Sequence, residues 1–197
     1  MSTSLTDKEY YQLTISIGKA FTAYEIPVKS KHARAAIIGT YHSNGGHAFW
    51  AIAIRQPLND NRITAWKFCH VLHKILREGH HLCLQHSMRH RNMITEMGKL
   101  WGHLNDGYGL CIKQYTKLLV TKLNFHDRNP RFPGNLVLKR GELDQIAAND
   151  INVYFQLAVE MFDYLDDIVA LQATSKIDTR NNLKFPCAKS FYFSFSF

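Results

Sequence analysis

The sequence has few cysteines, few prolines and no long apolar run. Its 197 residues include only four cysteines and five prolines. The cysteines are widely spaced and form no CxxC pair, which argues against a disulfide framework or a cysteine zinc site. The first ten residues are polar, unlike a secretory signal, and no apolar run approaches the length that crosses a bilayer. Any membrane contact is therefore expected to be peripheral.

The short motifs of common catalytic sites are also missing. The glycine-rich stretches at 44–46 and 102–109 neither follow a strand nor precede the Lys-Ser/Thr of a phosphate-binding loop. His70 and His73 could place two metal ligands on one helix face, but no carboxylate set completes that site. We predict no enzyme, no cofactor and no bound metal.

Acidic residues are fewer than basic ones. The chain has 24 Lys and Arg against 16 Asp and Glu, a formal net charge of +8. The excess lies in the N-terminal part, because Met1 to Arg77 holds ten basic and four acidic residues. By contrast, Ile151 to Ala173 holds four acids and no Lys or Arg. This distribution favours an anionic partner: nucleic acid, an acidic protein or an anionic membrane surface.

Helical periodicity runs through most of the chain, and no convincing alternating strand interrupts it. Thr6 and Glu9 form a capping box before a first helix, and Asn59 or Asn61 can cap a later one. Short links join about seven helices, which predicts an all-α superhelical stack, solenoid-like but without a fixed sequence period. The three tryptophans fall within apolar stripes and are predicted core residues.

The last predicted helix has the clearest 3.6-residue apolar stripe in the chain. This stripe runs from Ile151 to Val169. Asp163, Asp166 and Asp167 are predicted to lie on the outer, solvated face of the helix rather than to act as paired catalytic carboxylates.

Basic side chains concentrate at the joint between the first two predicted helices. Lys19 lies near the end of the first helix, Pro27 breaks the chain, and Lys29, Lys31 and His32 fall where the second helix begins. A helix N-terminus also presents unpaired N–H groups and the positive end of its dipole, so the joint has the outline of a phosphate site. On charge alone, a solvated basic loop is the competing interpretation.

The spacing at this joint resembles a known signature. Lys19, nine intervening residues, Lys29, one residue, Lys31 and His32 resemble the phosphoinositide-binding motif of ANTH domains, the membrane-binding modules of endocytic clathrin adaptors. Further stretches, rich in Trp, Gly and Pro, are similar to the huntingtin-interacting protein family: 66–74, 100–104, 107–109, 129–135 and 156–165. The similarity runs from about Glu9 to Thr174.

This resemblance implies a superhelical ANTH stack and a phosphoinositide-binding peripheral membrane adaptor module of clathrin-mediated endocytosis. Lys19, Lys29, Lys31 and His32 would contact the ring phosphates of phosphatidylinositol bisphosphate, with Arg34 as a neighbour. The expected location is cytoplasmic, at the plasma membrane and clathrin-coated pits or vesicles. Clathrin, clathrin light chain and F-actin are expected partners only through segments that this sequence lacks.

The resemblance also predicts where the domain ends. Residues 1–174 are the expected ANTH-like domain, truncated at its C-terminal side. Residues 175–197 match nothing in the family, and we expect them to form a divergent, poorly ordered tail.

Two other functions remain open at this point. A helical protein-interaction domain could use the same basic face to bind an acidic protein without lipid specificity. Nucleic-acid binding is less favoured, because exposed aromatic residues interleaved with basic ones are scarce. We therefore predict no nucleic-acid partner.

Overall fold

The computed structural model describes residues 5–104 and 107–180, with side chains up to Ser175. Within these ranges the chain forms helices and connecting loops and contains no strand. The helices are α1 (Asp7–Ala20), α2 (Ser30–His42), α3 (His47–Ala53), α4 (Arg62–Glu78), α5 (Leu82–Met88), α6 (Arg91–Gly102), α7 (Gly107–Arg128), α8 (Glu142–Ala147) and α9 (Ile151–Arg180). The predicted all-α fold class is confirmed.

Side-chain caps start two of the helices at the predicted places. The Thr6 hydroxyl accepts a hydrogen bond from the Glu9 N–H (3.3 Å), and the Glu9 carboxylate accepts one from the Thr6 N–H (2.9 Å). Asn61, rather than Asn59, caps α4, since its side-chain oxygen accepts from the Thr64 N–H at 3.0 Å. These bonds satisfy N–H groups that the first turn of a helix leaves free.

The described residues form two more helices than the approximate count from the sequence. One arises because the region from Leu82 onward is divided into α5 and α6, and the other is the short α8. Residues with positive φ precede and follow α8, Gly141 at 83° and Ala148 at 50°, so the backbone turns sharply at both ends. A six-residue helix has too few turns to show a clear apolar period, which is why the sequence did not indicate it.

Helices α4 and α7 lie at the centre of the stack. They pack against each other, and α7 also contacts α5, α6 and α9. All three tryptophans are buried, as predicted, and two donate from their indole nitrogens: Trp50 to the Ser87 hydroxyl and Trp101 to the Leu58 carbonyl, both at 2.9 Å. These two hydrogen bonds satisfy the indole N–H groups that burial removes from water.

The face of α9 that is buried differs from the prediction. Its buried apolar side chains are Leu157, Tyr164, Ile168 and Leu171, on the side that packs against α7. Asp167, predicted on the outer face, is buried there: it accepts from the Thr121 hydroxyl at 2.6 Å and pairs with Lys117 at 2.7 Å. A cation and a hydroxyl on α7 offset the cost of burying this carboxylate, and a helical pattern cannot show such partners.

The C-terminal end of the described chain is helical. Helix α9 continues to Arg180, so the boundary predicted after residue 174 falls inside a helix. Residues 181–197, most of the predicted tail, lie outside the described residues. None of the helices in the described ranges combines the length and hydropathy needed to cross a membrane.

Candidate functional site

A cavity at the joint between α1 and α2 brings most of the predicted site residues together. Its volume is about 260 Å³. It is lined by Lys19, Ala20, Thr22, Ile26, Pro27, Lys29, Lys31, His32 and Lys67. Four of the five predicted residues thus surround one space. The fifth, Arg34, is exposed on α2 but is not part of this lining.

The local backbone explains how Lys19 comes to face the start of α2. Lys19 lies in the last turn of α1, and the Phe21 N–H closes that helix by donating to the Ile17 carbonyl at 3.0 Å. Lys29 has extended backbone angles as the N-cap of α2. The chain therefore reverses between 21 and 29, a stretch in which Pro27 disfavours a helical conformation for its predecessor.

Lys67 lies beneath the cavity and was not among the predicted site residues. It is only 1% exposed, although it is a lysine on α4. Its ammonium group donates to the Thr22 carbonyl (2.8 Å), the Thr22 hydroxyl (2.9 Å) and the Tyr24 carbonyl (2.7 Å). Lys67 therefore fixes the loop that joins α1 to α2. The sequence does contain a sign of this role, since Lys67 interrupts the otherwise apolar run 65–69. Lysine is almost never fully buried without partners, so a lysine in such a run indicates a buried site with acceptors nearby.

The electrostatics of the cavity favour an anion. The first turn of α2 contains no acidic residue and has no side-chain cap bond, so the positive end of the helix dipole lies at a cationic lining. The pKa of His32 is lowered, first by its partial burial and then by the positive charges of Lys31, Lys19 and Lys29. His32 and these three lysines line the same cavity.

This arrangement suits the recognition of phosphate groups. Lysine ammonium groups act as mobile point charges, which fit several phosphates crowded on one ring better than a planar bidentate clamp would. Free N–H groups at a helix start add directional donors. The cavity can therefore bind a polyanion without a metal, and it contains no paired carboxylates for acid–base chemistry.

Two histidines that the sequence offered as metal ligands, His70 and His73, are buried in the core. Burial lowers the pKa of His70 to about 4, and the ring of His73 lies 3.1 Å from the buried Tyr115 hydroxyl. No three His, Cys, Asp or Glu side chains in the described ranges are grouped as metal ligands would be.

The family model described as "ANTH domain" matches residues 12–179 of this chain. Huntingtin-interacting protein 1 of Homo sapiens is 50% identical over 153 residues, which is 78% of this chain and 15% of that protein. Huntington interacting protein related 1 of Caenorhabditis elegans is 37% identical over 158 residues, 80% of this chain and 17% of that protein. The chain thus spans about a sixth of the length of these relatives.

The fold also matches a solved structure. It is similar to the ENTH domain from epsin-2 in complex with phosphatidylinositol 4,5-bisphosphate, with a TM-score of 0.79 and 29% identity, over 86% of this chain and 66% of that one. ANTH domains occur in endocytic adaptor proteins, which are not enzymes, in agreement with the prediction. Because the family model covers most of its length, this chain belongs to the ANTH domain family.

Proposed function

We propose that this chain is a phosphoinositide-binding module that attaches an endocytic adaptor to the cytoplasmic leaflet. One observation carries the proposal: Lys19, Lys29, Lys31 and His32 line a single cavity at the N-terminus of α2. Each lysine near an anionic leaflet contributes about 1 kcal/mol, so Lys19, Lys29 and Lys31 together give reversible recruitment rather than permanent anchoring.

The proposed contacts divide into binding and positioning residues. Lys19 from α1 and Lys29, Lys31 and His32 from α2 contact the headgroup phosphates from two sides of the cavity. Arg34, farther along α2, acts as a neighbouring positive charge. Lys67 already directs its ammonium protons to three acceptors on Thr22 and Tyr24, so it positions the loop and does not bind phosphate.

Comparison with the ENTH neighbour supports the headgroup class. That domain was solved with phosphatidylinositol 4,5-bisphosphate, and its fold aligns with most of this chain. A bisphosphorylated inositol ring in a membrane is accordingly the ligand that we propose. Clathrin-coated pits and vesicles at the plasma membrane are the proposed location. Contacts with clathrin, clathrin light chain and F-actin belong to segments of longer family members.

The decisive test is sedimentation of the chain with liposomes containing phosphatidylinositol 4,5-bisphosphate. The double variant Lys29→Glu/Lys31→Glu should lose sedimentation, because it replaces two attractions with two repulsions. Circular dichroism should show unchanged helicity, since both side chains are exposed. Unchanged sedimentation of this variant would reject the site.

A matched control separates a site from overall charge. Lys139→Glu/Arg140→Glu makes the same change in net charge on two exposed residues of the loop before α8. This control should retain most of the binding. Equal losses in the two double variants would indicate a nonspecific electrostatic effect.

The same assay distinguishes the alternative function. Liposomes in which phosphatidylserine replaces the phosphoinositide at equal total charge should bind the wild-type chain more weakly. If the two liposomes bind equally and an acidic polypeptide competes with both, the basic face is a protein-interaction surface without lipid specificity. That outcome would replace the lipid proposal.

A further inference from the structure

The loop between α1 and α2 carries two exposed apolar side chains beside the basic cavity. Tyr24 is 74% exposed and Ile26 is 48% exposed. Ile26 also lines the cavity, together with Lys19, Lys29 and Lys31. Single exposed apolar residues are common on soluble proteins, so the informative feature is the position of these two at the rim of a candidate phosphate site.

The tip of this loop is held in place through its backbone. The Lys67 ammonium group donates to the Thr22 and Tyr24 carbonyls at 2.8 and 2.7 Å. The Ile26 N–H donates to the same Tyr24 carbonyl at 2.7 Å. These bonds use main-chain groups of the tip and leave the Tyr24 side chain in water. A backbone that is already ordered loses little conformational entropy when its side chains meet another surface.

The ligand of the cavity determines which surface the tip meets. When the cavity holds the headgroup of a membrane lipid, the leaflet lies at the cavity mouth, so this step rests on the proposed function. Tyr24 precedes Ile26 by two residues, a span of at most about 7 Å. The headgroup layer on one side of a bilayer is about 5 to 8 Å thick. The tip is therefore within reach of that layer.

The chemistry of the tip suits the interfacial layer rather than the hydrocarbon core. Tyrosine is enriched where a membrane meets water, because its ring is apolar and its hydroxyl is polar. Glu25, between the two apolar residues, is exposed. A carboxylate is costly to place in hydrocarbon and limits how deeply the tip can enter. We infer that Tyr24 and Ile26 insert into the interfacial layer of the leaflet when the cavity holds a phosphoinositide headgroup.

Two ligands that share a headgroup separate insertion from headgroup binding. Calorimetry with free inositol trisphosphate measures the cavity alone, whereas liposomes containing phosphatidylinositol 4,5-bisphosphate add the membrane surface. Tyr24→Ser should keep its affinity for the free headgroup, because the Tyr24 side chain is not part of the cavity lining and the carbonyl that accepts from Lys67 is retained. Its affinity for the liposomes should fall about fivefold, as expected when roughly 40 Å² of apolar surface no longer leaves water.

A second tyrosine provides the matched control. Tyr11 on α1 is 63% exposed and does not line the cavity. Tyr11→Ser makes the same chemical change as Tyr24→Ser and should leave the affinity for both ligands unchanged.

A tryptophan at position 24 measures the depth of the tip directly. Tyr24→Trp keeps an interfacial aromatic ring and should bind the liposomes at least as tightly as the wild-type chain. The three native tryptophans are buried, so the fluorescence that this variant adds to the wild-type signal reports on the loop. Lipids brominated near the carbonyl end of the acyl chain should quench the added signal more than lipids brominated near the methyl end.

The outcomes distinguish this inference from the proposed function. A wild-type chain that binds neither the free headgroup nor the liposomes would overturn both. If both ligands bind but Tyr24→Ser leaves liposome affinity unchanged, or the tryptophan at position 24 is not quenched, insertion is wrong and the headgroup site stands. Equal losses in Tyr24→Ser and Tyr11→Ser would indicate general apolar attraction and overturn the role of the loop. Loss of free-headgroup affinity in Tyr24→Ser would make Tyr24 a headgroup contact instead.

Discussion

The basic cavity and the exposed face of α9 lie on different parts of the helical stack and are built in opposite ways. The cavity depends on a loop, which a buried lysine fixes from below through three hydrogen bonds. The exposed face of α9, with Phe155, Phe162, Leu165 and Val169, lies on one helix whose other face is packed against α7. The first surface offers charge whose placement depends on a few contacts. The second offers apolar area whose placement depends on ordinary helix packing, so mutations should affect the two surfaces differently.

The largest expected effect concerns the two faces of α9. Leu171 is 0% exposed on the inner face, whereas Leu165 is 46% exposed on the outer face. Leu171→Ala should lower the free energy of unfolding by about 3 kcal/mol, because it leaves a cavity against α7. Leu165→Ala should lower it by less than about 1 kcal/mol, since the side chain is already half in water. Urea unfolding of both variants measures the difference.

This pair of leucines provides its own control, because the chemical change is identical. Equal losses of stability would mean that Leu165 is covered in the whole chain. In that case the outer face of α9 would be part of the core.

A smaller effect is expected beneath the cavity. Lys67→Met keeps much of the side-chain volume but removes the donor to Thr22 and Tyr24, and it should cost about 2 kcal/mol because buried acceptors lose their partner. Lys31→Met, at the exposed rim, should change stability by no more than about 0.5 kcal/mol. Thermal unfolding of the two variants distinguishes these results.

Lipid binding should weaken in both lysine variants, for different reasons. Lys31→Met removes a contact, whereas Lys67→Met loosens the loop that holds Thr22 near Lys19. A Lys67→Met protein of full stability and full binding would contradict the positioning role that we assign to Lys67.

The sequence was sufficient to predict that four of the five proposed residues lie together, because their placement follows from local rules. A helix end, a proline and a helix start determine where Lys19, Lys29, Lys31 and His32 lie relative to one another. Lys67 comes from α4, 45 residues after Thr22, and only tertiary packing brings it to the loop. Contacts over such a distance leave no periodic signal in a single sequence.

The two faces of α9 could not be assigned from the sequence for a related reason. A 3.6-residue stripe shows that a helix has an apolar face, but it does not show which face meets a neighbour. Here both sides are apolar, and the buried side includes Glu160 and Asp167, whose cations lie on α7. Of the three aspartates predicted on the outer face, Asp167 is therefore an interior residue.

The smallest expected effect distinguishes the surfaces by their response to pH. Partial burial and, after it, neighbouring lysines lower the pKa of His32 in the free chain, and a bound phosphate would raise it. Binding therefore takes up a proton, so affinity for phosphoinositide liposomes should increase as pH falls from about 7.5 to about 5.5. One added charge limits the gain to about fivefold, or about 1 kcal/mol. The exposed face of α9 has no histidine between Ile151 and Val169 and therefore offers no such response.

His32→Gln is the control for this pH response. The second pKa of a phosphate group is about 6, so the phosphates lose negative charge in acid, which weakens binding in every variant. The contribution of His32 is therefore the difference between the wild-type and His32→Gln profiles, and identical profiles would contradict its role.

Circular dichroism must accompany both measurements. Burial lowers the pKa of His70 from 6.5 to about 4 in the folded chain. Between these two pH values the unfolded state binds more protons than the folded state, so the stability of the fold decreases as pH falls through this range.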